Sequence, residues 1–286
     1  MTPSAAPPLF SVVVPTHDRQ ALLDDALQSL LDQTEESWEC IVVDDASPTP
    51  PQVPEDPRIR LIRMPAQHGP AHCRNVGIAA ARGTYLCFLD DDDVYPPTRL
   101  ALDRRAGGEV PLLHWGGRIG EATVTRWTRR ATTRAHLFDR TTPHLGMITV
   151  KRELAPMFDG DFPACEDIDW LLRLTEEFEF ELVPEVGWLW RRHGGARGLV
   201  GIEARLRGSQ LLMEKHHAYF ATNRTARGFR LYRMGLLSAQ LGNETAARHS
   251  WRLSIRSMPA PHVLLRTMWA LMRQPLRDLP LNRARR

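Results

Sequence analysis

The sequence predicts an α/β fold on a mostly parallel, doubly wound sheet, and three observations carry that expectation. Short apolar runs recur through the first 90 residues, amphipathic helical segments fall between them, and each run stops abruptly at Pro, Asp or Gly. Strands joined by helices of this kind pair in parallel by crossover, and such sheets bind ligands beyond the carboxyl ends of their strands.

The first run, LFSVVV at residues 9–14, is almost continuously apolar and ends at Pro15, as a strand covered on both faces should. Leu22, Leu23, Ala26, Leu27, Leu30 and Leu31 follow at three- and four-residue spacing, which marks an amphipathic helix. CIVV at 40–43 repeats the strand signal, and a Pro-rich loop from Pro48 to Pro57 leads to IRLI at 59–62. Gly69-Pro70 opens the next helix and Gly83 lies past its end at Arg82, the usual punctuation. YLCFL at 85–89 is a further buried strand. From Pro111 to Val150 the pattern breaks into short strands and loops. An amphipathic helix over Asp167–Phe178 buries Ile168, Leu171, Leu172 and Leu174, and FELV and WLW follow as strands. Beyond Gly198 the pattern is helical, with helices expected near 201–222, 227–241, 244–257 and 261–273. The stretch LLSAQLGNETAARHSWRLSIRSMP resembles one tetratricopeptide-like helical hairpin, with no repeat period. The expected division is an α/β domain at 1–200 and a basic helical extension at 201–286.

Composition narrows the class. With 43% hydrophobic and 25% charged residues the chain has the material for a core, which excludes disorder and fibrous repeats. The net charge of +3 hides an asymmetry: residues 1–202 hold 21 basic and 30 acidic residues, a net of −9, whereas residues 203–286 hold 16 basic and 4 acidic, a net of +12. A basic tail on an acidic body is suited to an anionic surface such as membrane lipid or nucleic acid. Cys40, Cys73, Cys87 and Cys165 are too dispersed for a zinc set or a disulfide framework, which fits a reducing cytosol. No stretch reaches the roughly 18 apolar residues of a spanning helix, so the expected location is cytoplasmic, with peripheral contact at the inner face of the cell membrane.

The densest chemistry is LDDDD, Leu89 to Asp93, at the end of a buried strand. Two carboxylates 4 Å apart repel by about 1 kcal/mol in water and about 4 kcal/mol at an effective dielectric of 20, so a strand end in a crevice calls for a cation. Carboxylate oxygens suit Mg²⁺ or Mn²⁺, which are commonly shared with substrate phosphates. Neither GxGxxG nor GxxxxGK[ST] is present, which leaves metal and arginine to meet phosphate charge.

Taken in order, SVVVPTHDR, IVVDDAS, GPAHCRNVGIAAARGTYLCFLDDDD and CEDIDWLLRL closely resemble the family 2 glycosyltransferases of GT-A fold, over about residues 9–200. The resemblance implies an inverting transferase that moves a sugar from a nucleotide donor, UDP being the commonest nucleotide, to a hydroxyl of a glycan or lipid-linked acceptor. It places Pro15 and Thr16 against the base and ribose, with His17 where Tyr is more usual and Arg19 in the same turn. Asp45 and Asp44 correspond to the nucleobase-binding pair, and Arg74 to the donor-binding arginine. The family's DxD motif falls on Asp90, Asp91 and Asp92: Asp92 is the implied ligand of a divalent metal, Mn²⁺ or Mg²⁺, Asp91 lies near the ribose or diphosphate, and Asp93 sits behind them. His193 stands where relatives place a metal-binding histidine. Asp167 would take the proton of the acceptor hydroxyl as it attacks.

Two other readings compete. FLDDDDV satisfies the DxDxV nucleophile motif of haloacid dehalogenase-like phosphatases, but there the nucleophile follows the first strand, and here two strand-and-carboxylate units precede it. An inactive nucleotide-sugar-binding subunit would keep the fold, yet every implied catalytic carboxylate is retained.

Overall fold

In the computed structural model, which describes residues 6–139, 142–191 and 199–257, the apolar runs become strands at the centre of one sheet. Strand β1 (Phe10–Thr16) lies between β2 (Trp38–Asp44) and β4 (Tyr85–Phe88), both parallel to it, and β3 (Ile59–Arg63) adds to β2 in the same direction. Every residue of β2 is buried, and Val12, Val13 and Val14 of β1 are fully so, each such side chain contributing roughly 1.5–3 kcal/mol by leaving water. Helix α1 (Gln20–Leu31) makes the crossover from β1 to β2, and α2 (Pro70–Ala80) that from β3 to β4. Gly77 of α2 lies directly on Val13, which lets this helix sit close to β1.

The rest of the sheet is mixed. Short β5 (Asp93–Val94) precedes α3 (Arg99–Ala106), and β6 (Leu112–Arg118), β7 (Glu121–Thr125), β8 (Ile148–Lys151) and β9 (Glu181–Trp190) complete the order β3-β2-β1-β4-β8-β6-β9-β5, with β7 on β6. Strand β8 runs antiparallel to β4, and β9 runs parallel to β6. FELV and WLW, expected as two strands, are parts of the single strand β9. Its pairing jumps from His114↔Val183 to Trp115↔Val186, so Pro184, which has no N–H to donate, falls in the irregularity.

A closed set of buried charges lies beneath this half. Arg99 pairs with Asp103 one turn later on α3, and its other guanidinium nitrogen donates to Thr149 Oγ1 at 3.0 Å. Asp103 also accepts from Thr149 Oγ1 at 2.7 Å and from His114 Nε2 at 2.7 Å, and Arg99 and His114 are wholly buried. Helix α3 was not expected from the sequence.

The chain forms two compact units. The first comprises the sheet and its helices, up to Arg134, from Pro143 to Gly160 and from Trp170 onward through β9; the second takes in Asp161–Asp169 and the later helices. Helix α4 (Glu166–Glu177) begins in the second unit and ends in the first. Within the second unit, α5 (Leu199–Lys215), α6 (His217–Thr222), α7 (Arg224–Gln240) and α8 (Glu244–Ser257) follow one another, the expected helix at 201–222 breaking at His216. Helices α7 and α8 form the expected hairpin: Gly242 turns with φ +79°, Asn243 Oδ1 accepts from Ala246 N at 3.0 Å, and Trp251 is buried against Gly235. The helix expected at 261–273 lies outside the described residues. Among the described residues, no helix is long and apolar enough to cross a membrane.

Candidate functional site

Parallel registry decides which residues meet. Thr16 pairs with Asp44 and Val13 with Phe88, so the turn after β1, the end of β2 and the aspartates after β4 emerge along one edge of the sheet. Thr16 Oγ1 donates to Asp91 Oδ2 at 2.8 Å. Arg19 reaches Asp91 Oδ1 and Asp92 Oδ2, each at 3.2 Å, with its own side chain 51% exposed. Arg74, on the buried face of α2, donates to Asp90 Oδ1 at 2.7 Å. Burial raises the Asp91 carboxyl above its ordinary range, and Asp92 and Asp90 push the same way against the Thr16 hydrogen bond and the Arg19 charge. For Asp90 burial is outweighed by Arg74 and His144, which hold it well below that range.

The edge by β2 is differently built. Asp44 is fully buried and accepts from Ser47 N at 3.0 Å and from the Ser47 hydroxyl, and Arg63 Nε approaches it at 3.3 Å. It holds the turn. Asp45 accepts the backbone amides of His68 and Gly69, both at 2.8 Å, and so fixes the entry to α2. His17 Nδ1–H donates to the Asp45 carbonyl at 2.8 Å, beside Pro15 and Thr16 in the same turn.

A histidine not expected from the sequence completes the rim. His144 Nε2 lies 3.4 Å from Asp90 Oδ2 and its Nδ1 lies 3.9 Å from Asp93 Oδ2, with its ring stacked on Trp188 at 4.3 Å between centroids. Asp93 also accepts from Trp188 Nε1 at 2.9 Å and from the Arg191 amide at 3.3 Å. Burial pushes the Asp93 carboxyl up to about 7, with Asp90 and Asp92 adding to the rise and His144 opposing it. One ligand atom each from Asp90, Asp93 and His144 lie within 4.8 Å of one another, close enough to share a cation. The Gly146 amide donates to His144 Nδ1 at 3.2 Å, which leaves the ring proton on Nε2, facing Asp90. A cation ligated through Nε2 must therefore displace a proton there.

These residues fit a hard divalent ion. Four carboxylates, Asp90 to Asp93, face two arginines and one histidine, and oxygen is the donor such ions prefer.

In the second unit, Asp167 lies in the first turn of α4, after Cys165, which takes a left-handed φ of +69°. Asp169 is fully buried and accepts from Lys215 Nζ and His216 Nε2, both at 2.8 Å, which ties the start of α4 to the end of α5. Gly208 of α5 lies on the Ala164 carbonyl, an approach that no side chain would allow.

The structure thus gathers Pro15, Thr16, His17, Arg19, Asp44, Asp45, Arg74, Asp90, Asp91 and Asp92 at one edge of the first unit. Asp167 belongs to the second unit and is described within it. His193, the expected metal-binding histidine, lies outside the described residues.

Residues 11–102 match the model of glycosyl transferase family 2. The succinoglycan biosynthesis protein ExoO of Rhizobium meliloti (strain 1021) is 40% identical over 97 residues, covering 32% of this chain and 28% of that protein. The chain spans only 36%, 64% and 37% of the length of the first three curated relatives it matches. Among solved structures, S. aureus TarS 1-349 in complex with UDP-GlcNAc superposes with a TM-score of 0.52 at 17% identity, over 93% of this chain and 91% of that one. The mannosyltransferase PcManGT from Pyrobaculum calidifontis, in complex with GDP-Man and Mn²⁺, superposes with a TM-score of 0.55 at 17% identity, over 95% and 82%. The fold is GT-A.

Proposed function

We propose that this chain is a family 2 glycosyltransferase of polysaccharide synthesis that takes a sugar from a nucleoside-diphosphate donor, UDP-linked before GDP- or dTDP-linked, to a glycan or lipid-linked acceptor hydroxyl. One observation carries the reading: four carboxylates gather at the carboxyl edge of parallel strands with Arg74 aimed among them, an arrangement that is self-repelling until a cation and a diphosphate complete it. The relatives named above and the donors bound to the two structural neighbours support it.

In this reading Asp92, with Asp91, Asp90, Asp93 and His144 around it, would hold Mn²⁺ or Mg²⁺. When bound, the ion offsets the charge that grows on the departing diphosphate. Arg74 and Arg19 meet the phosphates, and Thr16 keeps Asp91 oriented. Asp167 accepts the proton of the acceptor hydroxyl as its oxygen bonds to the anomeric carbon and the carbon–diphosphate bond breaks, a single displacement that inverts the configuration. The arginines of the second unit would bind the anionic groups of the acceptor or of the inner membrane surface.

A thermal-shift panel of UDP-, GDP- and dTDP-sugars with and without Mn²⁺ tests the donor, because a ligand selective for the folded chain raises its melting temperature. A metal-dependent rise with one nucleotide is the expected result, and no rise with any removes the proposal. Asp167→Asn should keep donor binding and lose at least about 100-fold in turnover, read with product anomers by NMR; undiminished transfer removes Asp167 as the base.

A further inference from the structure

The second unit holds a charge that the chemistry above leaves unused. Helix α7 has the sequence RTARGFRLYRMGLLSAQ, with Arg224, Arg227, Arg230 and Arg233 at three-residue intervals and no acidic residue. Arg224 is occupied, donating to the carbonyls of Ser257 and Arg256. Arg227 and Arg233 are exposed. Arg230 is different: it is only 5% exposed, and among the described residues no hydrogen bond or ion pair engages its guanidinium.

A guanidinium so withdrawn from water forfeits several kcal/mol unless an anion or acceptors replace the lost hydration. The neighbouring groups of its own unit do not supply that. Burial raises the Cys165 thiol, which keeps it neutral, and the positive Arg233 adds repulsion. Asp167 attracts it only from a distance, without contact. Burial is accordingly the main influence on Arg230, which lowers its proton affinity, Cys165 and Arg233 following in opposite directions. What remains is a nearly buried fork of N–H donors within the electrostatic reach of the carboxylate assigned as base. A flat membrane surface cannot reach such a group, whereas a single phosphate or carboxylate can, and a planar guanidinium binds either with two parallel hydrogen bonds.

We propose that Arg230 is an acceptor-specificity residue: it receives an anionic substituent, a phosphate or a sugar carboxylate, on the glycan that supplies the attacking hydroxyl. The inference rests on the transferase reading for the word acceptor, while the anion site itself stands on Arg230 alone.

Binding of labelled oligosaccharides to the full chain, without donor, tests it. The probes are oligogalacturonate and its neutral methyl ester, and a 6-phosphorylated malto-oligosaccharide with its unphosphorylated parent. Vesicles containing phosphatidylglycerol form a further arm. The wild-type chain should bind at least one anionic oligosaccharide about tenfold or more tightly than its neutral partner, as a charge-assisted pair of hydrogen bonds requires. The galacturonate and phosphate arms tell which anion is read. Arg230→Gln should abolish the preference, whereas Arg252→Gln, on the exposed face of α8, should keep it. Equal binding of charged and neutral probes, an equal loss in Arg252→Gln, or binding to the vesicles alone would each overturn the proposal. Should Arg230→Gln melt before it can be assayed, the ester and phosphate comparisons in the wild-type chain decide alone. No turnover enters this assay, so an active Asp167→Asn would remove the base assignment and leave the anion site standing.

Discussion

Two clusters of charge lie in the same unit, and they are built on opposite principles. Around Asp103, Arg99, His114 and Thr149 converge so that two oxygens of one carboxylate are met by a cation, a hydroxyl and a ring N–H, all out of water. Along the rim, Asp90, Asp91, Asp92 and Asp93 share Arg74, the half-exposed Arg19 and His144, and among the described residues the contacts given leave more negative than positive charge. The first cluster balances its charges among the described residues, although Arg99 Nε and His114 Nδ1 find no hydrogen-bond partner there. The second is incomplete in one direction only, toward more positive charge. A buried ionic network thus marks a ligand site by its imbalance rather than by its burial.

Four substitutions or conditions sharpen that contrast, from the largest expected effect to the smallest. Arg99→Met should cost about 3–5 kcal/mol in urea unfolding, because it leaves Asp103 buried with its main counter-charge gone, while donor affinity of the folded chain stays unchanged. A loss under 1 kcal/mol would show that the network is not closed. Asp92→Ala should do the reverse, with stability within about 1 kcal/mol of the parent and metal-dependent donor binding weakened about 100-fold by calorimetry. Loss of stability without loss of metal dependence would make the rim structural.

Acid provides the third contrast. His114 is pushed below its ordinary 6.5, first by burial and then by the Arg99 charge. The unfolded chain therefore takes up that proton first, so this contribution to stability is full above about pH 6.5 and declines below it. Burial raises the Asp103 carboxyl, but the Arg99 charge and the hydrogen bond from His114 outweigh it and hold it below its ordinary 3.8, which extends the decline to pH below 3.8. Asp93 and Asp91, raised by burial with Asp92 adding to the rise, act in the opposite sense between about pH 7 and 3.8. Acidification should therefore lower the melting temperature of Asp92→Ala more steeply than that of the wild-type chain, while a His114→Gln chain should lose the part of the decline that starts near pH 6.5. The smallest effect is expected at Arg19. Arg19→Gln removes a solvent-weakened contact to Asp91 and Asp92 and should tighten Mn²⁺ binding in the absence of donor by a few fold, measured by titration calorimetry. Weaker binding would mean that Arg19 assists the ion instead of standing in its place.

Much of the fold was legible because its first half follows simple periodicity: β1, β2, β4, α1 and α2 bury continuous or regularly spaced apolar side chains. Helix α3 was not, and the reason is chemical. Its buried face is Arg99, Leu100 and Asp103, so two of its three inward residues are charged and satisfy one another, which leaves no apolar stripe to see. Strand β9 appeared as two because Pro184 interrupts its pattern where the pairing with β6 slips. The rim was legible as far as strand ends reach, since residues that directly follow apolar runs must share an edge. His144 was not, because it lies in the loop-rich stretch before β8 and meets Asp90 and Asp93 only through the long return of the chain. Arg230 looked like any surface arginine of a basic helix, and only its burial distinguishes it.

The clasp of Asp45 on the amides of His68 and Gly69 has a practical consequence for anyone wishing to retarget this scaffold to a different nucleotide. Gly69 is the residue from which α2 starts, and α2 carries Arg74, so exchanging Asp45 should also disturb the guanidinium that reaches Asp90. His17 touches only the backbone carbonyl of Asp45 and carries no such linkage. On the proposed assignment, libraries that begin at His17 should therefore shift nucleotide preference while leaving the start of α2 undisturbed.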